Sequence, residues 1–421
     1  MGSIPTPGTS FMTNLQFIFK GHDSNLEKGE ANFHFAYRGD KNLDFTEKIS
    51  FPSVKNQIPE ALLKSLLDNL MLILGISYWK AYCPKEIVIE SNFLTREQAE
   101  FWNIVYTKGL GEFFYKNKLD FRGLVNFPFV DSVKTTSASL PRKNRSLLAI
   151  GGGKDSIVVA EILKKADKEF GLLTLSFPLQ IEVAKIIGGQ VINAKREIDQ
   201  KLLELNKQEV VYNGHVPVSV IYAMLGLMTG VFYDYNSVVV GNEKSANYGN
   251  VEYLREMINH QWSKSEEFEK LFIGYVKKFI TPDITYSSPL RNLTELQVVE
   301  EFVKYPKYFR VFSSCNRNFK ISKPSFAKAS AGKWCGKCPK CLFVFICLAA
   351  FLPKQKVLDI FDKNLLEDKS LLSLFEELIG VRNLKPFECV GTPEEAKEGL
   401  KKILEKGEFN NAILIQHFKT L

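Results

Sequence analysis

Apolar residues follow two different spacings along the first 130 residues. In three runs they alternate with polar residues, the pattern of half-buried strands, and Gly, Asp and Asn clusters separate the runs. Further on they recur every three or four residues, as in amphipathic helices. The predicted elements are strands at Leu15–Phe19, Ala31–Tyr37, Leu43–Phe51 and Glu86–Glu90, turns at Gly21–Asn25 and Gly39–Asn42, and helices at Ile58–Tyr78 and Leu94–Tyr115. We expect an α+β domain over residues 1–130.

Strand and helix patterns alternate from residue 146, and this alternation predicts a parallel sheet. The predicted strands are Leu147–Ile150, Leu172–Phe177, Val191–Ala194 and Ser237–Val240, with helices after Asp155 and at Ile181–Ile187 and Val216–Val231. Later segments with helical spacing are Leu342–Leu352, Leu365–Ile379 and Pro393–Glu405. We therefore expect an α/β domain with helices on both faces over residues 146–352 and a helical region over residues 353–421.

Composition places the chain among globular proteins, since 45% of its 421 residues are apolar. The longest apolar runs, Leu62–Leu74 and Cys341–Leu352, are shorter than the roughly 18 residues of a membrane span. Met1–Ser10 lacks the plan of a signal peptide, so we expect a cytoplasmic protein without a membrane partner. The net charge of +8 suits an anionic partner, either nucleic acid or a nucleotide-bearing metabolite.

A glycine-rich loop follows the strand that ends at Ile150. It reads Gly151-Gly152-Gly153-Lys154-Asp155-Ser156 and opens a helix. Glycines and a helix amino terminus both present backbone N–H groups, so this pattern predicts an anion site. It is neither a Walker A loop nor a G-x-G-x-x-G fingerprint. The alternative is a turn that only joins strand to helix.

A second polar loop, Gly241–Asn250, follows the strand at Ser237–Val240. Carboxyl ends of parallel strands meet at one edge of a sheet, where ligands bind in doubly wound folds. Glu243 in this loop could hold a magnesium ion or a ribose. The alternative is an ordinary turn after a strand.

Two histidines and an arginine are further candidates. His260 lies in a polar segment with Lys264 and is a candidate for proton transfer, with a structural role as the alternative. His215 precedes a helix and is a weaker candidate of the same kind. Arg291, before a helix start at Asn292 or Thr294, could bind a carboxylate or diphosphate or lie on the surface.

Cys335, Cys338 and Cys341 have C-x-x-C-x-x-C spacing, and Cys315 supplies a fourth thiolate. Four such thiolates are typical of a structural zinc site. An iron–sulfur cluster and free structural thiols are the alternatives. Cys83, Cys347 and Cys389 lie among apolar residues and are predicted to be core residues, and Pro324–Gly332 has the composition of a flexible insertion.

The glycine loop resembles the S-G-G-x-D-S pyrophosphatase loop of the PP-loop ATPase superfamily, with Gly151 in place of the first serine. Taken with Gly-Asn-Glu-Lys-Ser-Ala-Asn, Asn-His-Gln-Trp-Ser-Lys-Ser, Ser-Pro-Leu-Arg and the cysteine cluster, it resembles the UDP-N-acetylmuramoyl-L-alanyl-L-glutamate epimerases, the MurL family. The resemblance spans residues 146–352 and implies a PP-loop fold of the adenine nucleotide alpha hydrolase type.

The resemblance also implies an activity, in which ATP and Mg²⁺ support inversion of the substrate's terminal L-glutamate during peptidoglycan biosynthesis. It implies a structural Zn²⁺ and no nucleic-acid partner, and it leaves the oligomeric state open. The implied site consists of Gly151, Gly152, Gly153, Lys154, Asp155, Ser156, Gly241, Asn242 and Glu243 for ATP and Mg²⁺, Ser245, Asn247, Arg291 and Arg317 for the substrate, and His260, Lys264, His215 and Asp155 for catalysis. An adenylating ligase, a tRNA-modifying enzyme and a non-catalytic nucleotide-binding regulator are the alternatives.

Overall fold

The computed structural model describes residues 14–132, 137–319, 333–382 and 384–421. Both the amino terminus up to Ser10 and the predicted insertion at Pro324–Gly332 lie outside the described residues. The strands are β1 (Leu15–Asn25), β2 (Glu30–Gly39), β3 (Leu43–Ser50), β4 (Glu86–Ile89), β5 (Ser146–Ala149), β6 (Phe170–Thr174), β7 (Val191–Asn193), β8 (Lys195–Glu197), β9 (Ser237–Val239), β10 (Val251–Tyr253), β11 (Glu256–Ile258) and β12 (Thr285–Ser287).

The α-helices begin with α1 (Glu60–Trp79), α2 (Arg96–Gly109), α3 (Gly111–Asn117), α4 (Lys154–Lys165), α5 (Pro178–Ile187), α6 (Gln200–Leu205), α7 (Val218–Phe232) and α8 (Glu266–Phe279). They continue with α9 (Glu295–Phe302), α10 (Pro339–Phe351), α11 (Lys354–Phe361), α12 (Leu372–Leu378), α13 (Pro393–Lys406) and α14 (Ile413–Lys419). The chain divides into two compact units. One takes the described chain up to Asn144 with Ile192–Val238 and Glu269–Tyr286, and the other takes Arg145–Val191, Val239–Phe268 and Ser287–Leu421.

The first unit contains a five-stranded sheet in the order β4-β1-β2-β3-β8, with β1 parallel to β4 and the other pairs antiparallel. The predicted three-stranded meander is therefore confirmed. The turn predicted at Gly21–Asn25 is wrong, because β1 continues through this segment after a bulge between Phe19 and Gly21. The single helix predicted over Leu94–Tyr115 is also wrong, because the segment forms two helices that are separated at Leu110. The residues on either side, Gly109 and Gly111, are glycines, which are poor helix formers.

Helix α1 packs against this sheet as the core helix of the first unit. Gly75 lies so close to the sheet that an added Cβ would be 2.2 Å from the Phe19 ring. The rings of Phe35 and Tyr78 stack with centroids 4.7 Å apart. Helix α1 is longer than the predicted apolar run Leu62–Leu74 and has the length and hydropathy of a membrane span. However, 78% of its apolar window is buried inside the protein.

The second unit contains the sheet with the order β12-β9-β5-β6-β7, in which β5 and β6 are parallel with Leu148 opposite Leu172. The mixed α/β class with a parallel sheet is thus confirmed, while helical cover of both faces stays a prediction. Helix α10 is the centre of this unit's core. It is buried along nearly its whole length and contacts α9, α11, α12 and α13.

Side-chain caps fix where the helices near the site begin. Thr294 and Thr392 each form a capping box, at the starts of α9 and α13. Of the two predicted starts of α9, Asn292 and Thr294, the structure has the second. The helix predicted over Leu365–Ile379 is mostly wrong. The side chains of Asn364 and Asp368 accept hydrogen bonds from nearby backbone N–H groups, which favours two short 3₁₀ turns before α12.

Candidate active site

The glycine loop joins the carboxyl end of β5 to the amino end of α4, as predicted. Gly152 has a φ of +83°, and an added Cβ would lie 2.8 Å from Leu179 Cγ, so only glycine fits without strain. Gly151 faces open space instead. Gly153 is the N-cap of α4 and no side chain caps this described helix end. The first-turn N–H groups are therefore available to an anion.

The second polar loop meets the glycine loop. An added Cβ on Gly241 would lie 2.9 Å from both the carbonyl carbon and Cβ of Asp155, so the two strand exits are in close contact. The backbone N–H of Asn242 donates to Ser288 Oγ at 2.9 Å, and that hydroxyl donates back to the Asn242 carbonyl at 2.8 Å. The sequence-based expectation that the ends of these strands come together is confirmed.

A buried ionic network joins the glycine loop to α9. The ammonium of Lys154, which is fully buried, donates to the carboxylates of Asp155 and Glu295. Burial by itself would lower the pKa of Lys154, but these two carboxylates raise it well above its usual value. Burial likewise would raise the pKa of Asp155, but the Lys154 ammonium lowers it. Lys154 and Asp155 are therefore both charged at neutral pH.

Glu243 is a buried carboxyl group at the mouth of the second loop, and only 2% of its surface is exposed. Burial, and after it repulsion from Glu295 and Asp155, raises the pKa of Glu243 to about 7. The Arg291 side chain donates from Nη1 to the Glu243 carbonyl at 3.3 Å. Carboxylate oxygens that repel one another are a donor set that fits Mg²⁺, because a hard cation would offset the repulsion.

Ser314 contributes a hydroxyl group next to the glycine loop. An added Cβ on Gly153 would lie 2.8 Å from Ser314 Oγ. That oxygen is buried and has no hydrogen-bond partner among the described residues. In the S-G-G-x-D-S pattern the first residue is a serine, and this chain has Gly151 there, so the loop lacks that hydroxyl group. Ser314 supplies a hydroxyl group from another segment. An unsatisfied hydroxyl beside a bare helix amino terminus fits the phosphates of ATP.

His260, Lys264 and Cys389 form a polar cluster in the same unit. The His260 Nε2 atom lies 3.8 Å from Cys389 Sγ, and Asn250 fixes the histidine backbone by accepting its N–H at 2.8 Å. The Cys389 thiolate raises the pKa of Lys264 well above its usual value. Burial would raise the pKa of Cys389, but Lys264 and then His260 lower it to about 5.

The prediction that Cys389 is a core residue is wrong. Its side chain is half-buried, and the residue lies in a short irregular segment between α12 and α13. Its neighbours Phe387 and Val390 are apolar, but the fold places the thiol beside His260 and Lys264 from distant segments. Cys83 and Cys347 are buried, as predicted.

Lys385, four residues before Cys389, is a second residue that the sequence analysis missed. Only 6% of it is exposed, and its Nζ has no hydrogen-bond partner among the described residues. Nζ lies 5.1 Å from the centre of the Tyr248 ring. Burial lowers the pKa of Lys385 to about 8. No motif or spacing distinguishes this lysine from others in a chain that contains 55 Lys and Arg residues.

The four predicted zinc ligands lie together. The Sγ atoms of Cys315, Cys335, Cys338 and Cys341 are all within 4.8 Å of one another. Cys341 Sγ lies 3.7 Å from that of Cys335 and 3.5 Å from that of Cys338. Tetrahedral zinc–sulfur bonds of about 2.3 Å would separate the sulfurs by about 3.8 Å, so the cluster fits a structural zinc ion.

The remaining predicted site residues have other surroundings. The Ser245 hydroxyl donates to Glu395 at 2.6 Å, and Asn247 Oδ1 accepts the Glu266 N–H at 2.8 Å. Arg317 is exposed in a short 3₁₀ helix. His215 lies in the other unit, where its Nδ1 is 3.4 Å from Glu112 Oε2. Their roles toward a substrate stay predictions.

Comparison with known proteins relates nearly the whole chain to one family. The family model of the MurL N-terminal domain matches residues 10–289, and that of the MurL C-terminal domain matches residues 311–420. A UDP-N-acetyl-alpha-D-muramoyl-L-alanyl-L-glutamate epimerase from Xanthomonas oryzae pv. oryzae is 35% identical over 94% of this chain and 87% of its own length. Epimerases of the same name from Micromonospora sp. and Salinispora tropica are 34% and 35% identical, each over 95% of this chain and over 89% and 87% of their own lengths.

A solved structure, a predicted subunit of tRNA methyltransferase from Methanocaldococcus jannaschii, aligns with 18% identity and a TM-score of 0.24. The alignment covers 40% of this chain and 85% of that one. A likeness this distant indicates nothing about the activity.

Proposed function

The chain belongs to the MurL family and is an epimerase, and we propose that it inverts the terminal glutamate of UDP-N-acetylmuramoyl-L-alanyl-L-glutamate from L to D. Relatives that carry the name of this reaction are about 35% identical over most of the chain. The product would supply a D-glutamate residue to peptidoglycan synthesis. Both UDP-linked precursors and ATP are cytoplasmic, so we place the reaction there, with no nucleic acid as partner.

The proposed reaction uses ATP to activate the α-carboxylate of the glutamate. An ionised carboxylate is a poor electron sink, so the neighbouring α-proton is too weak an acid for any side-chain base. In an acyl-adenylate the negative charge is gone and the α-proton becomes removable. A carboxylate oxygen attacks the α-phosphorus of ATP and diphosphate leaves. After inversion, water attacks the acyl carbon and AMP leaves.

The observation that carries this proposal is the meeting of the glycine loop with the buried carboxylates. We assign the diphosphate to Gly151–Ser156 and to the unsatisfied hydroxyl of Ser314. We assign Mg²⁺ to Asp155 and Glu243, with Gly241 and Asn242 holding that loop in place. The metal would neutralise phosphate charge during attack and departure.

Lys154 would act from behind the loop. Its ammonium is occupied by Asp155 and Glu295, so its contribution is to hold the Asp155 carboxylate ionised and oriented. Arg291 is placed beside Glu243 and is the candidate for binding a substrate carboxylate or diphosphate. The four cysteines would hold zinc as a structural ion that fixes the start of α10.

We assign proton transfer to the cluster around His260 and Lys264. Both residues lie in the same unit as the glycine loop, and both interact with the thiol of Cys389. His260 is positioned by Asn250, a residue of the second polar loop. Movement of the loop that holds Glu243 would therefore also move the histidine.

Isotope transfer tests the adenylation directly. With ¹⁸O in the α-carboxylate of the substrate glutamate, each AMP released should carry one ¹⁸O atom, because the attacking oxygen leaves with phosphorus. Substrate labelled in the γ-carboxylate is the matched control and should give unlabelled AMP. Unlabelled AMP from both substrates would exclude the acyl-adenylate. If protein that binds ATP releases no AMP at all, the result would favour the alternative of a non-catalytic nucleotide-binding regulator.

A further inference from the structure

We propose that Cys389 and Lys385 are the two proton carriers of the inversion. The Cys389 thiolate removes the α-proton of the activated L-glutamyl residue, and the Lys385 ammonium returns a proton to the opposite face of the α-carbon. This inference rests on the proposed function and assigns the reacting atoms within it. His260 and Lys264 then become positioning residues that keep the thiol ionised.

The surroundings of Cys389 are those of a reactive thiol. His260 Nε2 lies 3.8 Å from Sγ, and the Lys264 ammonium interacts with the same sulfur. The buried ammonium of Lys340, in the first turn of α10, donates to the Cys389 backbone carbonyl and fixes the segment. Cys389 is a half-buried residue, whereas Cys347 and Cys83 are buried in cores. Two cationic or ionisable side chains, His260 and Lys264, thus interact with the sulfur of a half-buried cysteine.

Lys385 is a buried cation with no ion-pair or hydrogen-bond partner among the described residues. Its Nζ faces the Tyr248 ring at 5.1 Å but forms no hydrogen bond with any described residue. A buried ammonium whose hydrogen-bonding capacity is unused is characteristic of a functional group. It interacts electrostatically with Glu243, Cys389, Glu395 and Glu295, so it is located among the charges of the candidate site. The chain between Leu384 and Val390 therefore supplies both proposed carriers.

The ionisation states decide which residue takes the proton first. Lys264, His260 and Lys340 lower the pKa of Cys389 to about 5, so the thiolate predominates at neutral pH. Burial lowers the pKa of Lys385 to about 8, against the opposing influence of nearby acidic groups, so the amine is mostly protonated there but gives up its proton readily. A base and an acid are therefore present before substrate arrives.

The proton balance follows from these states. Sγ takes the proton from Cα, and the C–H electron pair forms a C=C bond as the acyl carbonyl electrons move onto oxygen. Those electrons then return, and Cα takes a proton from Lys385 Nζ on the other face. The turnover ends with a neutral thiol and a neutral amine. The thiol passes its proton to His260 and solvent, and the amine takes one from solvent, which restores the starting state.

Two variants separate the two roles in deuterated water with ATP, Mg²⁺ and the L-substrate. We expect Cys389→Ser to lose α-deuterium uptake at least 100-fold while AMP release continues. We expect Lys385→Met to form the D-isomer at least 100-fold more slowly. The recovered L-substrate should still gain α-deuterium, because Cys389 can still remove the α-proton and return a deuteron to the same face of Cα. The matched controls are Cys83→Ala, which removes a buried thiol of the first unit, and Lys397→Met, which removes an exposed lysine of α13.

Uptake in Cys389→Ser within tenfold of the wild-type rate would overturn the role of the thiol. Loss of exchange into the L-substrate in Lys385→Met, or unimpaired formation of the D-isomer, would overturn the role of the lysine. If the wild-type protein itself neither releases AMP nor exchanges the α-proton, the proposed function fails and this assignment fails with it.

Alkylation gives a readout that is independent of turnover and of folding defects in the variants. The rate at which iodoacetamide modifies Cys389 in wild-type protein, followed by peptide mass spectrometry, should be half-maximal near pH 5. The profile should move upward by at least one pH unit in His260→Gln, which removes one of the stabilising partners. A midpoint near pH 8.5 in the wild-type protein, the pKa of an ordinary thiol, would contradict the proposed thiolate.

Discussion

The ammonium of Lys154 donates to the carboxylate of Glu295, and both side chains are almost completely inaccessible to solvent. This pair links the first residue of α4, directly after the glycine loop, to the first residue of α9. Glu395, the third residue of α13 and the partner of Thr392 in its capping box, in turn accepts the backbone N–H of Glu295 at 2.8 Å. The position of the glycine loop is therefore coupled to the carboxy-terminal helices through a chain of buried polar contacts.

Removing the cation from this pair should be costly. Lys154→Met would remove the cation that both Asp155 and Glu295 contact, while the Lys340 ammonium would stay 4.0 Å from Glu295 Oε1. We expect the free energy of unfolding to fall by about 3–5 kcal/mol. Urea denaturation measures it. The control is Lys165→Met, since the exposed Lys165 pairs with Glu301 across the same two helices at 2.7 Å and its removal should change little. Equal losses in both variants would contradict the account.

The glycine loop should tolerate substitution at one position and not at the next. Gly152→Ala forces a side chain into a positive φ and against Leu179, and we expect a loss of about 1–3 kcal/mol in stability together with weaker ATP binding. Gly151→Ala adds a methyl group in open space and should change stability by less than about 0.5 kcal/mol. Thermal melting with and without ATP compares them. A similar penalty at both positions would show that the loop has another conformation.

Local patterns predicted a large part of this site. The strand–glycine–helix unit, the cap at Thr294 and the C-x-x-C-x-x-C spacing are short-range sequence signals, and the structure contains all three. The meeting of the loops at Asp155 and Gly241 follows from a topological rule, since the carboxyl ends of parallel strands lie at one edge of a sheet.

Cys389 and Lys385 could not be found in this way. Their chemistry comes from His260, Lys264 and Glu243, which are more than 120 residues away in the chain. A cysteine between apolar neighbours has the same local pattern whether it faces a core or a charged cluster. The same limit applies to Glu295, whose partner Lys154 is 141 residues distant.

The buried amine of Lys385 should make stability depend on alkaline pH. Its folded-state pKa of about 8 is below the ordinary 10.5, so the unfolded chain holds more protons between these values and stability rises with pH there. Relative to Lys385→Met, the wild type should gain up to about 3 kcal/mol from pH 8 to pH 10.5. Lys80, whose pKa burial also lowers to about 8, is common to both proteins and cancels. A pH-independent difference would contradict burial of a charged amine.

Zinc should be bound once per chain and be needed for the fold around α10. We expect elemental analysis to find about one zinc per protein, with loss of the metal and a lower melting temperature in Cys338→Ser. Cys83→Ala, in the first unit, is the control and should retain the metal. Iron in place of zinc, or full metal content in Cys338→Ser, would contradict a zinc site made by these four cysteines.

The most direct test of the central claim is to incubate the protein with UDP-N-acetylmuramoyl-L-alanyl-L-glutamate, ATP and Mg²⁺ in deuterated water and to analyse AMP and the glutamate together. The account predicts that D-glutamate forms only with ATP, that it carries one deuterium at Cα, and that AMP accumulates as it forms. D-glutamate that forms without ATP, or that keeps its original α-hydrogen, would contradict adenylation-driven epimerisation.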